Sequence, residues 1–182
     1  MDPAEFGYST TELKHAPYGP ITPEALKEKN TGKVVLVTGA GQGIGAAIAE
    51  SLAKSGASVA ILDLTRDKLK TTKEACEKQG GKVQAYTCDV TDEARVKEVF
   101  DMVEKELGNI DVLVNNAGVF EQRPFIMSDF NSFWRQIEVN FKAVCILPSF
   151  SPSSMLVQPK YRLYCSPPPA AHYDSHDAST LP

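Results

Sequence analysis

The sequence predicts an α/β fold: a doubly wound parallel sheet of about four strands in the order 3-2-1-4, with helices on both faces. Three observations carry this. Short apolar runs alternate with stretches of helical spacing four times between residues 33 and 147, a pattern that buries a parallel sheet between helices. A glycine-rich turn, Thr38-Gly39-Ala40-Gly41-Gln42-Gly43-Ile44-Gly45, joins the first strand to the helix after it, where a tight turn and close strand–helix packing need residues without side chains. Proline is nearly excluded from the same stretch, since of 12 prolines only Pro124 falls within residues 33–147.

Residues 1–32 are polar, proline-bearing and aperiodic, and read as an extended N-terminal arm with a short helical turn around Pro23–Lys29. Val34-Val35-Leu36-Val37 is a strand buried on both faces, ended by Thr38-Gly39. Ile44, Ile48 and Leu52 recur at helical spacing, and Ser55-Gly56 closes that helix. Ser58–Leu62 is the second strand, ended by Asp63. The helix Arg66–Gln79 follows and stops at Gly80-Gly81. Val83–Cys88 alternates polar and apolar residues, which places it at an edge of the sheet. Asp92 is the expected N-cap of the next helix, whose apolar face is Val96, Val99, Phe100, Val103 and Leu107, with Gly108 at its end. Ile110–Val114 is the fourth strand, followed by Asn115-Asn116-Ala117-Gly118. Ser128 is expected to cap a last helix running to about Leu147, with Trp134 in the core. Right-handed crossovers then give the order 3-2-1-4.

Residues 148–182 read differently. They hold seven prolines, seven serines and no glycine, and show no period of 2 or 3.6. This stretch is expected to be a disordered tail unrelated to the domain before it. The four cysteines, Cys76, Cys88, Cys145 and Cys165, form no CxxC pair and read as reduced thiols. His172-Tyr173-Asp174-Ser175-His176-Asp177 reads as a solvated cluster, so no metal site is expected. With 19 basic against 23 acidic residues, the net charge of −4 leaves no footprint for nucleic acid or an anionic membrane surface. No signal peptide is visible, and no apolar stretch approaches the roughly 18 residues of a membrane span. A cytoplasmic location is expected.

The glycine-rich turn carries the chemistry. Backbone that approaches closely, followed by a helix N-terminus with free N–H groups and a positive dipole end, makes a site for a pyrophosphate. Gly39, Gln42, Gly43, Ile44 and Gly45 are therefore candidate cofactor-binding residues, and the fold is of Rossmann type. Asp63, at the end of the second strand, can accept hydrogen bonds from ribose hydroxyls and would repel a 2′-phosphate. Leu64 follows it, and Gln42 rather than arginine stands in the loop. NAD is thus favoured over NADP.

With these residues in place the chain resembles the short-chain dehydrogenase/reductase family over about residues 33–147. The turn matches that family's TGxxxGxG. Cys88-Asp89-Val90-Thr91-Asp92 resembles its strand-three segment, and the resemblance implies that Asp89 and Val90 lie against the adenine. Asn115-Asn116-Ala117-Gly118 matches its NNAG, which implies that Asn116, Ala117 and Gly118 line the cofactor cleft. Trp134 and Val139-Asn140 resemble the helix carrying the asparagine of its catalytic tetrad. The resemblance implies hydride transfer between nicotinamide and an alcohol or ketone. In that chemistry a serine polarises the oxygen, and a Tyr-x-x-x-Lys pair moves the proton.

No tyrosine of this sequence has a lysine four residues on, and the last lysine is Lys160. No glycine-led apolar strand ending in Ser-Ser follows Leu147. The expectation is a truncated form in which residues 33–147 keep dinucleotide binding and Asn140 remains alone of the catalytic set. A frameshift, a retained intron or a misassigned splice would leave such an abrupt change near Pro148. The alternative is a non-catalytic NAD-binding or regulatory partner of a full-length relative, as a homo- or hetero-oligomer. Its contacts would run through the last helix or the open edge of strand four.

Overall fold

In a computed structural model, which describes residues 22–121 and 129–150, Val34–Thr38 (β1) is buried at all five positions. Ser58–Asp63 (β2) and the short Val112–Val114 (β4) flank it in parallel, and Lys82–Thr87 (β3) pairs with β2. The order is β3-β2-β1-β4, as the sequence predicts, and β3 is an edge. Before the sheet, Pro23–Leu26 (α1) forms one short helical turn.

The alternation of side chains along each strand divides the core in two. Val34, Leu36, Ala60, Leu62 and Tyr86 face Val96, Val99, Phe100 and Val103 of Glu93–Glu106 (α4). Val35, Val37, Val59, Ile61 and Val83 face Ala49 and Ala53 of Gly43–Lys54 (α2) and Leu69 and Cys76 of Arg66–Lys78 (α3). Asp92 caps α4 as expected, its carboxylate accepting the Arg95 N–H at 3.0 Å.

Four details differ from the sequence reading. First, α2 buries Gly45, Ala49 and Ala53, one position on from the Ile44, Ile48, Leu52 row, and Ile44 is 75% exposed. Small side chains let this helix lie close against the sheet, and Ile48 and Leu52 of the apolar row pack partly buried against the same core.

Second, β4 begins at Val112. The Asp111 carboxylate accepts the Val34 N–H at 2.8 Å, replacing the backbone partner that an earlier start would supply.

Third, the last helix is capped by Asp129, which accepts the Ser132 N–H at 3.0 Å. Ser128 lies outside the described residues. Phe130–Ile137 (α5) passes into a π-helical segment, Glu138–Lys142, then Ala143–Ile146 (α6) and a 3₁₀ turn, Leu147–Phe150. Leu147 is buried, and the Phe150 ring sits 6.2 Å from that of Phe100.

Fourth, Trp134 is not core. It is 48% exposed and stacks on Phe130 with ring centres 6.1 Å apart. The hydrogen-bonding residues Arg135 and Gln136 turn toward neighbouring loops, which leaves the Trp134 ring on the outer side of α5.

Of the expected arm 1–32, the residues before 22 lie outside the described residues, as do those after Phe150 of the expected tail 148–182, with Cys165 and the His172–Asp177 cluster. Residues 148–150, expected in the tail, instead finish the 3₁₀ turn packed on Phe100. Cys76, Cys88 and Cys145 are free thiols. Burial pushes the Cys76 and Cys88 thiols up to about 11, so both stay protonated near neutral pH. Among the described residues no helix is long and apolar enough to cross a membrane, and no group of His, Cys, Asp and Glu could hold a metal ion.

Candidate functional site

β1 ends in the glycine turn, and the turn runs straight into α2. Gly39 has φ +64, a left-handed conformation that suits glycine. A Cβ on Gly39 would sit 2.7 Å from Ala117 Cα, and one on Gly45 would collide with the Gly39 carbonyl oxygen. The turn therefore packs backbone against backbone. Gln42 occupies the N-cap of α2, and no side chain caps this end. The first N–H groups of a helix have no partner within the helix. Here Gln42, Gly43 and Ile44 at that end are exposed, a cradle suited to a pyrophosphate.

Thr38 fastens the turn to the chain after β4. Its side chain is buried, donates to the Val114 carbonyl at 3.2 Å and accepts the N–H groups of Asn116 and Ala117, each at 3.0 Å. The Asn116 side-chain amide then donates to the carbonyls of Thr38 at 2.9 Å and Gly39 at 3.1 Å. Sequence reasoning missed Thr38 as a positioning residue. The available signal was a hydroxyl ending an otherwise apolar strand. Beside it, the Asn115 side-chain oxygen is buried with no hydrogen-bond partner among the described residues.

Asp63 closes the next side. Its carboxylate accepts the Gly41 N–H at 3.1 Å and the Thr65 N–H at 3.0 Å, placing a negative charge directly against the turn. One residue beyond β3, the Cys88 N–H donates to the Asp63 carbonyl at 3.0 Å and brings Asp89 and Val90 up beside it. Asp89 is fully engaged. Thr91 gives it an N–H at 2.9 Å and a hydroxyl at 2.8 Å, and Arg135 of α5 reaches its other oxygen at 2.7 Å. Val90 is half-buried against the α4 side of the core.

Partial burial of Asp89 works against its charge. The Thr91 donors and the Arg135 guanidinium outweigh that and hold its carboxyl below the usual carboxylate range. A lowered folded-state pKa adds stability that is present above about pH 4 and lost as pH falls through the folded value. Because the pair is about one-third exposed, the contribution is under about 1 kcal/mol. Urea midpoints of wild type and Asp89→Asn should therefore differ at about pH 7, and the gap should narrow as pH falls below about 4. A gap of unchanged size across that range would contradict this ion pair.

Gly118 and Asn140 meet on the far side. The Asn140 amide clamps the backbone of one residue, accepting the Val119 N–H at 2.9 Å and donating to the Val119 carbonyl at 2.8 Å. A Cβ on Gly118 would sit 3.3 Å from the Asn140 side-chain oxygen. Asn140 lies in the π-helical segment. Gln136, four residues earlier, accepts the Glu121 N–H at 3.2 Å. The structure thus brings the turn, Asp63, Asn116 and Ala117 together directly. Asp89 and Val90 join through β2, and Gly118 joins with Asn140.

A family model described as short chain dehydrogenase matches residues 33–159. The chain belongs to the short-chain dehydrogenase family. It is 32% identical over 146 residues to a short chain dehydrogenase of Pseudocercospora fijiensis, covering 79% of this chain and 47% of that protein. Among solved structures, it resembles a metagenomic short-chain oxidoreductase in complex with NADP at 33% identity and a TM-score of 0.66. That likeness covers 70% of this chain and 58% of the other. A blue fluorescent protein from a metagenomic library, in complex with NADPH, matches at 32% identity and a TM-score of 0.64, over 69% of this chain and 52% of the other. The chain spans about half the length of the proteins it matches.

Proposed function

We propose that these 182 residues hold the dinucleotide-binding portion of a short-chain oxidoreductase and do not by themselves transfer hydride. The carrying observation is the cradle at the start of α2, where two glycines permit backbone contact and no side-chain hydrogen bond caps the helix end. A bound nicotinamide dinucleotide would supply the hydride donor or acceptor. In this reading the α2 N-terminus with Gly39, Gln42, Gly43, Ile44 and Gly45 binds the pyrophosphate. Asp63 meets the adenosine ribose, Asp89 and Val90 border the adenine, and Asn116, Ala117 and Gly118 line the cleft. Asn140 holds the Val119 backbone in place. No residue here is assigned to proton transfer, because the sequence contains no Tyr-x-x-x-Lys pair. An alcohol or ketone substrate belongs to the complete family member.

The cofactor preference rests on Asp63. Its carboxylate stands against Gly41, and like charges brought together without a counter-ion oppose binding. This supports NAD, although the two structural neighbours above carry NADP and NADPH. Fluorescence titration should find NADH bound about tenfold more tightly than NADPH, and Asp63→Ser should close most of that gap. Equal affinities in the wild type would remove the assignment to NAD.

A second reading, a non-catalytic partner of a full-length relative, is favoured by one observation. Among the described residues β4 pairs only with β1, which leaves its other edge open to a strand from another chain.

A further inference from the structure

Arg135 leaves α5 and reaches the loop after β3, where it grips two groups at once. One guanidinium nitrogen lies 2.7 Å from the Asp89 carboxylate, and another donates to the Thr91 hydroxyl at 2.7 Å. The Thr91 hydroxyl and N–H both donate to the other oxygen of Asp89, at 2.8 and 2.9 Å. Arg135, Asp89 and Thr91 thus form a closed ring of charge-assisted hydrogen bonds, the geometry in which a guanidinium fork is most selective. From the same stretch of chain, Gln136 holds the Glu121 N–H and Asn140 holds the Val119 backbone. One helix therefore ties down two loops on the rim of the cleft, 89–91 and 119–121.

An ion pair this exposed contributes little to folding. Its geometric effect is larger. Without Arg135 the Asp89 carboxylate keeps only its Thr91 contacts within its own turn, and the two Arg135 bonds that join α5 to that turn are lost. We propose that Arg135 is a positioning residue for the adenosine end of the dinucleotide. It sets residues 89–91 before the ligand arrives, so affinity depends on a side chain that does not touch the cofactor. This rests on the assignment of Asp89 and Val90 to the adenine.

The test uses the full chain, with NADH and ADP-ribose as probes and thermal melting recorded without ligand. Arg135→Met should weaken both probes about tenfold. Arg135→Lys should recover part of the loss, because a lysine keeps the charge but cannot hold Asp89 and Thr91 together. Lys142→Met removes another exposed ion pair, Lys142–Glu93 at 3.1 Å, and should leave ADP-ribose affinity unchanged. If Arg135→Met fails to melt cooperatively, Arg135→Lys decides, with an expected loss of about threefold. Unchanged ADP-ribose affinity in the Arg135 variants would overturn the inference while dinucleotide binding stood, and so would an equal loss in Lys142→Met. A wild type that binds neither probe would overturn the binding assignment and this inference with it.

Discussion

Gly45→Ala should both destabilise the protein and remove measurable dinucleotide binding. In an ordinary helix the same substitution is favourable, because alanine exceeds glycine in helix propensity by about 1 kcal/mol. Here the sign should reverse. The added Cβ would collide with the Gly39 carbonyl oxygen and lie 2.5 Å from the Asn116 side-chain nitrogen. Neither can retreat cheaply. The first is backbone in a turn that is itself against Ala117, and the second is held by the carbonyls of Thr38 and Gly39. Overpacking of this kind costs about 1–3 kcal/mol, and loosening Asn116 adds about 1 kcal/mol more. Any relaxation that relieves the clash moves α2 away from the turn and spoils the alignment of its N–H groups, so NADH affinity should fall at least about a hundredfold. Chemical denaturation gives the stability term and fluorescence titration the affinity. A more stable Gly45→Ala protein would show that α2 does not lie against the turn as described.

Thr38→Val should cost about 2–4 kcal/mol, although the two side chains have the same shape. The loss comes from hydrogen bonding alone. Valine leaves the N–H groups of Asn116 and Ala117 without their acceptor and the Val114 carbonyl without its donor. These three bonds fasten the end of β4, a strand of only three residues paired on one side among the described residues. Thr38→Ser keeps the hydroxyl, loses one methyl group and should cost about 1 kcal/mol. Urea midpoints of the two variants separate the contributions, and equal losses would show that the hydroxyl is not the fastening group.

The fold was legible because its signals are local. The unbroken apolar run of β1, the alternation in β3 and the Asp92 cap each lie within one element, and the order 3-2-1-4 follows from handedness. The misreadings share a different cause. In α2 the row Ile44, Ile48 and Leu52 gives the helical period, while Gly45, Ala49 and Ala53, whose small size lets the helix approach the sheet, carry no strong apolar signal. At the last helix two adjacent residues, Ser128 and Asp129, could both cap, and sequence alone does not separate neighbours of equal propensity. Trp134 was expected inside because aromatic residues are usually core, yet it lies on the outer side of α5, stacked on Phe130. The candidate site divides in the same way. The glycine turn announces itself as a motif. The Thr38 hydrogen bonds to Asn116 and Ala117 and the Arg135–Asp89 pair join residues far apart in the chain, and long-range pairing leaves no periodicity to read. The lack of a Tyr-x-x-x-Lys spacing, by contrast, is a property of the sequence alone.

Dinucleotide binding without hydride transfer is the function proposed for these 182 residues. It is tested most directly by titrating the purified chain with NADH and then adding a panel of aldehydes and ketones to the saturated complex. Binding should be saturable, with no NADH consumption above the rate without protein. Consumption of NADH that tracks protein concentration would contradict the proposed function, as would the absence of any saturable binding.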